Sequence, residues 1–146
     1  MQNTRSDLTG QRLIDLVYAA GYLDAEGCFR YNNTATISIS NTYPYTLMFM
    51  RRMFGGSIRT KTNKPNARTA YDWSIFGDNA RTCAELTIPF LREKRPQAEI
   101  MLDLGSYPRK SVRRNQLKKL LSKKKKIDYT STRMSKETAW MRNEHF

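Results

Sequence analysis

Asp24 and Glu26 stand two residues apart at the end of the run Ala19-Ala20-Gly21-Tyr22-Leu23-Asp24-Ala25-Glu26-Gly27, and they are the side chains of this chain best suited to chemistry. Ahead of them Leu13, Leu16, Val17, Ala20, Tyr22 and Leu23 recur at roughly helical spacing, which sets both carboxylates at a helix C-terminus. That end carries partial negative charge and unsatisfied carbonyls, so a carboxylate is disfavoured there unless something positive lies close. A divalent cation would supply the charge, and Glu26 is the best single ligand for it. The Ala19-Ala20-Gly21 stretch lets another backbone approach, as a helix built to touch a second helix requires.

The elements that must position this acidic end follow in order. Cys28 to Tyr31 and Ala35 to Asn41 read as a hairpin turning at Asn32, Asn33 and Thr34, and Pro44 suits the first turn of a helix that reaches Phe54 and stops at Gly55 and Gly56. A second hairpin pairs Ser57 to Thr62 with Thr69 to Phe76 across a loop holding three cations and a proline. Asp78 is placed to cap a helix from Asn79 to Leu86, and Pro96 to sit in the first turn of one from Arg95 to Leu104. The expected fold class is α+β in the order αββαββα: a four-stranded antiparallel, saddle-shaped sheet with helices on one face, and a basic C-terminal helical tail. Residues 1–106 would form the domain and 107–146 the extension.

Alternation along the strands separates two faces. Cys28, Arg30 and Asn32 share one parity, Thr34, Thr36, Ser38 and Ser40 another polar row, then Arg59, Lys61 and Asn63, and finally Arg68, Asp72 and Ser74 against Tyr71, Trp73 and Ile75. Arg and Lys pair with guanine, Asn with adenine and Asp with the cytosine amino group in a major groove, which a two-stranded ribbon fits. Any half-exposed sheet also shows a solvated polar side. The basic loop, the scarcity of acids on the strands and the neighbouring acidic motif favour nucleic acid. Trp73 and Tyr71 fall by alternation on the core side rather than on a base-stacking surface.

Charge points the same way. The chain of 146 residues carries 26 Lys and Arg against 13 Asp and Glu, a formal +13 that marks a polyanion partner. Residues 107–146 hold 13 basic and 3 acidic side chains, net +10. Within them Val112, Leu117, Leu120 and Leu121 offer a narrow apolar seam on a basic helix from Ser111 to Lys126, suited to lie along phosphates or to remain a solubilising tail. The longest apolar stretches are interrupted by Asp15 and Asp24 and are too short for a membrane span, and the N-terminal residues lack a secretory or transit pattern. A soluble protein in the compartment holding its DNA is expected, whether bacterial or phage-infected cytoplasm or an organelle. Cys28 and Cys83 are isolated thiols, which excludes a zinc or disulfide framework, and His145, the one histidine, lies too near the C-terminus for a general base.

The stretch from Ala19 to Gly27 resembles the signature of the LAGLIDADG homing endonucleases, with Glu26 in place of the second Asp. The likeness continues from about residue 10 to 105 through Ile37-Ser-Ile-Ser-Asn41, Phe54-Gly-Gly-Ser-Ile58 and Ile88-Pro-Phe-Leu91 followed by Lys94. This resemblance implies that Glu26 and the backbone carbonyl of Ala25 bind a catalytic divalent metal, Mg²⁺ or another such as Mn²⁺. It places Asn41 where a polar side chain orients water and Lys94 where a cation supports water activation or phosphate charge. Tyr45 stands where relatives can carry an arginine, so that auxiliary role is open. Lys94 also reads as an ordinary surface cation between Glu93 and Arg95.

One motif and one ligating acid per chain imply a homodimer, with Leu13, Val17, Ala20, Gly21 and Asp24 at the contact between helices and Asp24 alternatively fixing the helix end. The expected function is site-specific double-strand DNA cleavage at a long pseudo-palindromic site. A binder that does not cleave, either an intron RNA maturase or a DNA-binding regulator, is the alternative, and no membrane partner is expected.

Overall fold

In the computed structural model, which describes residues 5–61, 65–107 and 111–124, helix α1 (Arg5–Glu26) runs without a loop into β1 (Gly27–Asn32). The change from helix to strand falls on Gly27 for a steric reason. A Cβ there would lie 2.6 Å from the Leu23 carbonyl oxygen and 3.0 Å from Leu23 Cα. The chain then turns through Asn33, whose φ of 61° suits its short polar side chain, into β2 (Thr34–Asn41). Next come α2 (Pro44–Phe54), β3 (Ser57–Lys61), β4 (Ala70–Phe76), α3 (Gly77–Thr87), a 3-10 turn at Ile88–Phe90, α4 (Arg95–Leu104) and α5 (Val112–Lys124).

The architecture is α+β, an open four-stranded antiparallel sheet in the order β1-β2-β4-β3 with helices packed on one face. Phe29, Ile37, Ile39, Trp73 and Ile75 point into the core beneath Leu23 of α1, Leu47 and Met50 of α2, and Cys83 and Ala84 of α3. Trp73 is fully buried, as alternation predicts, and its indole N–H donates to the Gly55 carbonyl at 2.9 Å, tying β4 to the end of α2. Asp78 does not cap its helix. α3 begins two residues earlier than expected, at Gly77, with Phe76 at the cap position and no side-chain capping bond, which leaves Asp78 in the first turn where its charge still suits the helix dipole.

Helix α1 has two apolar faces. Ala19, Ala20 and Leu23 are fully buried with Leu16 against them, whereas Leu13, Ile14, Val17 and Tyr18 are 47–62% exposed on the other side. Ala20 therefore corrects an expectation: it belongs to the chain's own core and cannot meet a second helix. The spacing that selected it merged two stripes of one helix, because residues three and four apart share a face while Ala20 and Gly21 diverge by about 100°. Gly21 does lie on the open side, where an added Cβ would meet nothing within 4 Å.

Helix α5 packs on α4. Leu117 and Leu121 join Leu104 in a small second cluster flanked by Tyr31, Ile100 and Tyr107, while Val112 and Leu120 of the expected seam stay exposed. Arg114 turns inward, its guanidinium 4.8 Å above the Tyr31 ring and donating to the Tyr107 carbonyl at 3.3 Å. The basic segment thus begins as a docked helix; the rest of the tail, His145 included, lies outside the described residues.

The contact at Gly27 makes a direct prediction. Gly27→Ala should lower stability by about 1–3 kcal/mol, the usual cost of forcing a methyl into filled space. A denaturant midpoint equal to wild type would contradict the reading.

Candidate functional site

The last turn of α1 carries Asp24 and Glu26 and no basic residue, so the helix's own negative end faces two carboxylates. Asp24 is answered from within the chain. Its Oδ2 accepts the backbone N–H of Arg92 at 2.8 Å and its Oδ1 that of Lys94 at 3.0 Å. Both oxygens are thereby committed to the segment that enters α4. Glu26 is exposed one helical step beyond, and the adjacent Ala25 is exposed too.

Lys94 is half-buried, and its position follows from Asp24 holding its backbone. Asn41 reaches the same region from the end of β2. The pairing of Gly27 with Ile39 sets the start of β1, and hence Glu26 just before it, one residue from Asn41 in register. Asn41 has the parity of Ile37 and Ile39, so it faces the helices rather than the open side. Its Oδ1 accepts the N–H of Tyr43 at 3.0 Å and its Nδ2 donates to the Tyr22 hydroxyl at 2.7 Å.

The register brings the polar rows onto the other face. Cys28, Arg30 and Asn32 pair with Ser38, Thr36 and Thr34; Ser38 and Ser40 pair with Ser74 and Asp72; and Arg59 lies across from Asp72. Lys61 is an exposed cation 3.3 Å from the Asp72 carboxylate, which also accepts from the Ser40 hydroxyl, and Arg30 donates to the Ser38 hydroxyl at 2.8 Å. Thr36 is 7% exposed beneath its neighbours, so little of it is open to a ligand. Arg68 is exposed in the loop before β4 rather than on the strand, and Asn63 lies outside the described residues.

The sequence matches no family model and no curated protein. Solved structures do match. The archaeal intron-encoded homing endonuclease I-Vdi141I, solved in complex with DNA, aligns with a TM-score of 0.62 over 76% of this chain and 84% of its own, at 17% identity. The homing endonuclease I-CvuI, solved with its target in the presence of calcium, aligns with a TM-score of 0.53 over 65% of this chain and 68% of its own, at 21% identity. The chain has the LAGLIDADG homing-endonuclease fold. At these identities the likeness is one of architecture.

Within the homing-endonuclease fold this chain adds two residues that the sequence reading passed over. Tyr22 lies one turn before Glu26 and partners Asn41. Burial lifts its phenol above the ordinary tyrosine pKa, the bond from Asn41 opposes that shift, and the Glu26 carboxylate and Tyr18 add to it. The hydroxyl therefore remains neutral at physiological pH, accepting from the Asn41 amide. Four-residue spacing from the acid was the available signal, masked because Tyr22 also scores as an apolar helix residue. The second is Phe76, 55% exposed on the polar face beside Thr36, which the alternation of Asp72 and Ser74 already implied.

Among the described residues no three His, Cys, Asp or Glu side chains cluster. Cys83 is buried, which pushes its thiol well up, whereas Cys28 is half-buried on the open face.

Asp24 yields the second prediction. Asp24→Ala leaves two backbone N–H groups without acceptors and should destabilise the fold by about 1–3 kcal/mol. The check is thermal or denaturant unfolding, and a shift indistinguishable from zero would contradict the assignment.

Proposed function

We propose that this chain is a site-specific, metal-dependent double-strand DNA endonuclease that acts as a homodimer. The observation that carries the reading is the placement of Glu26: an exposed carboxylate, with no basic residue in its helical turn, stands where a helix with an open apolar face passes directly into a sheet with a polar, net basic face. The matching solved structures are homing endonucleases described as complexes with DNA, which supports that class of partner.

Two glycines on the exposed side of α1 support self-association. Gly10 and Gly21 have nothing within 4 Å of an added Cβ, and each costs about 1 kcal/mol of helix stability relative to Ala. A close helix crossing would give that expense a reason. Leu13, Val17 and Gly21 follow one another at four-residue intervals on this side, with Ile14 and Tyr18 beside them. A second copy is the occupant that also completes the chemistry, because the end of α1 offers one uncommitted carboxylate per chain, Glu26.

The donor set suits a hard cation only when doubled. The Glu26 carboxylate and the Ala25 carbonyl are oxygen ligands of the type Mg²⁺ or Mn²⁺ takes, and two copies would leave positions for water and phosphate. Bound there, the metal would lower the pKa of water and neutralise charge on the phosphate in flight. The chain's own side chains do the remainder. Asn41 orients water through its fixed carboxamide, Lys94 presents positive charge to the phosphate, and the rows led by Arg30, Ser38, Arg59 and Asp72 meet base edges. The exposed Arg113 and Lys119 of α5 add phosphate contacts that carry no sequence information.

Plasmid bearing the insertion junction of the protein's own gene should be linearised by wild type in Mg²⁺ and not in Ca²⁺, with Glu26→Gln inert in both. Tight binding of that DNA, or of flanking intron RNA, without cleavage under any divalent metal would overturn the reading in favour of a regulator or maturase.

A further inference from the structure

Asn41 is held at both ends of its carboxamide. The Tyr43 N–H pins Oδ1 at 3.0 Å, and the Tyr22 hydroxyl receives Nδ2 at 2.7 Å. The amide cannot be reversed, because a flip would set its NH₂ against the backbone N–H of Tyr43, two donors facing each other. After these two bonds the side chain retains one N–H and one lone pair for a ligand.

Tyr22 itself belongs to α1, one turn before Glu26 and on the same side of the helix. The carboxamide on the sheet is thereby referenced to the helix that carries the carboxylate. The phenol ring packs against the core and lies 6.5 Å from the Tyr18 ring, so the ring is fixed independently of its hydroxyl.

We propose that Tyr22 is a positioning residue for DNA cleavage, its hydroxyl fixing Asn41 in the orientation that aims a water at phosphate held beside Glu26. The inference rests on the nuclease reading above and deepens it. It requires no new chemistry: Tyr22 forms no bond to substrate and transfers no proton. A misplacement of about 1 Å in an orienting group is enough to slow a step that depends on in-line approach.

Tyr22→Phe removes one oxygen and keeps the ring. The experiment measures single-turnover cleavage in Mg²⁺, DNA affinity in Ca²⁺ and thermal unfolding for wild type, Tyr22→Phe, Asn41→Ala and the double variant, at a temperature well below every unfolding midpoint. Tyr22→Phe should cut roughly five- to thirtyfold more slowly, the range for one oriented hydrogen bond, with DNA affinity within about twofold of wild type. In the Asn41→Ala background the same substitution should cost nothing further. Equal rates for wild type and Tyr22→Phe, or an undiminished loss in the Asn41→Ala background, would overturn the role of Tyr22 while leaving the nuclease intact. A wild type that cuts nothing would instead overturn the nuclease reading and this inference with it.

Discussion

The closing turn of α1 sets two carboxylates against the negative end of a 22-residue helix with no cation in that turn. The rest of the structure is arranged around that electrostatic cost. Asp24 offsets its share by accepting two backbone N–H groups from the segment before α4, which also places Lys94. Among the described residues Glu26 has no such partner, and it stands exposed where helix gives way to strand. Gly27 makes the abrupt change possible, since any side chain would strike the Leu23 backbone. One acid is thus tied into the architecture, and the other stays exposed.

The same helix divides its surface with equal consequence. Its inner stripe of Ala19, Ala20 and Leu23 closes the domain core, and its outer stripe of Leu13, Ile14 and Val17 remains open beside a glycine with no neighbour. β1 begins directly after Glu26, so the helix bearing the outer stripe and the sheet bearing the polar face join at that residue with no loop between them. Apolar association, metal ligation and contact with nucleic acid would therefore converge on one junction, and each would be incomplete without the others.

Much of this was legible in the sequence because the signals were periodic. Alternation in Thr34 to Ser40 and in Tyr71 to Phe76 assigned the sheet faces, and Pro44, Gly55 and Gly56 bounded α2 where the structure has it. The fold class was readable for the same reason. What escaped were pairings between distant segments. The bonds from Arg92 and Lys94 to Asp24 span about seventy positions, and the Asn41 to Tyr22 bond joins sheet to helix; no local pattern encodes either. Ala20 was misplaced because a helix apolar on two sides gives one merged spacing signal. Asp78 was misread as a cap because Gly77, with φ of 60°, starts the helix two residues before Asn79. Arg114 looked like part of a solvated charge run, yet the ring of Tyr31 turns it inward.

The central claim is that the acidic end of α1 becomes a working site only when two copies meet. Wild type and Glu26→Gln protein, unfolded together and refolded at varied ratios, test it most directly through the rate of double-strand cleavage at fixed total protein. The account predicts a rate that falls as the square of the wild-type fraction, since both copies must supply Glu26. A rate that falls in simple proportion would show that one chain carries a complete site and would contradict the account.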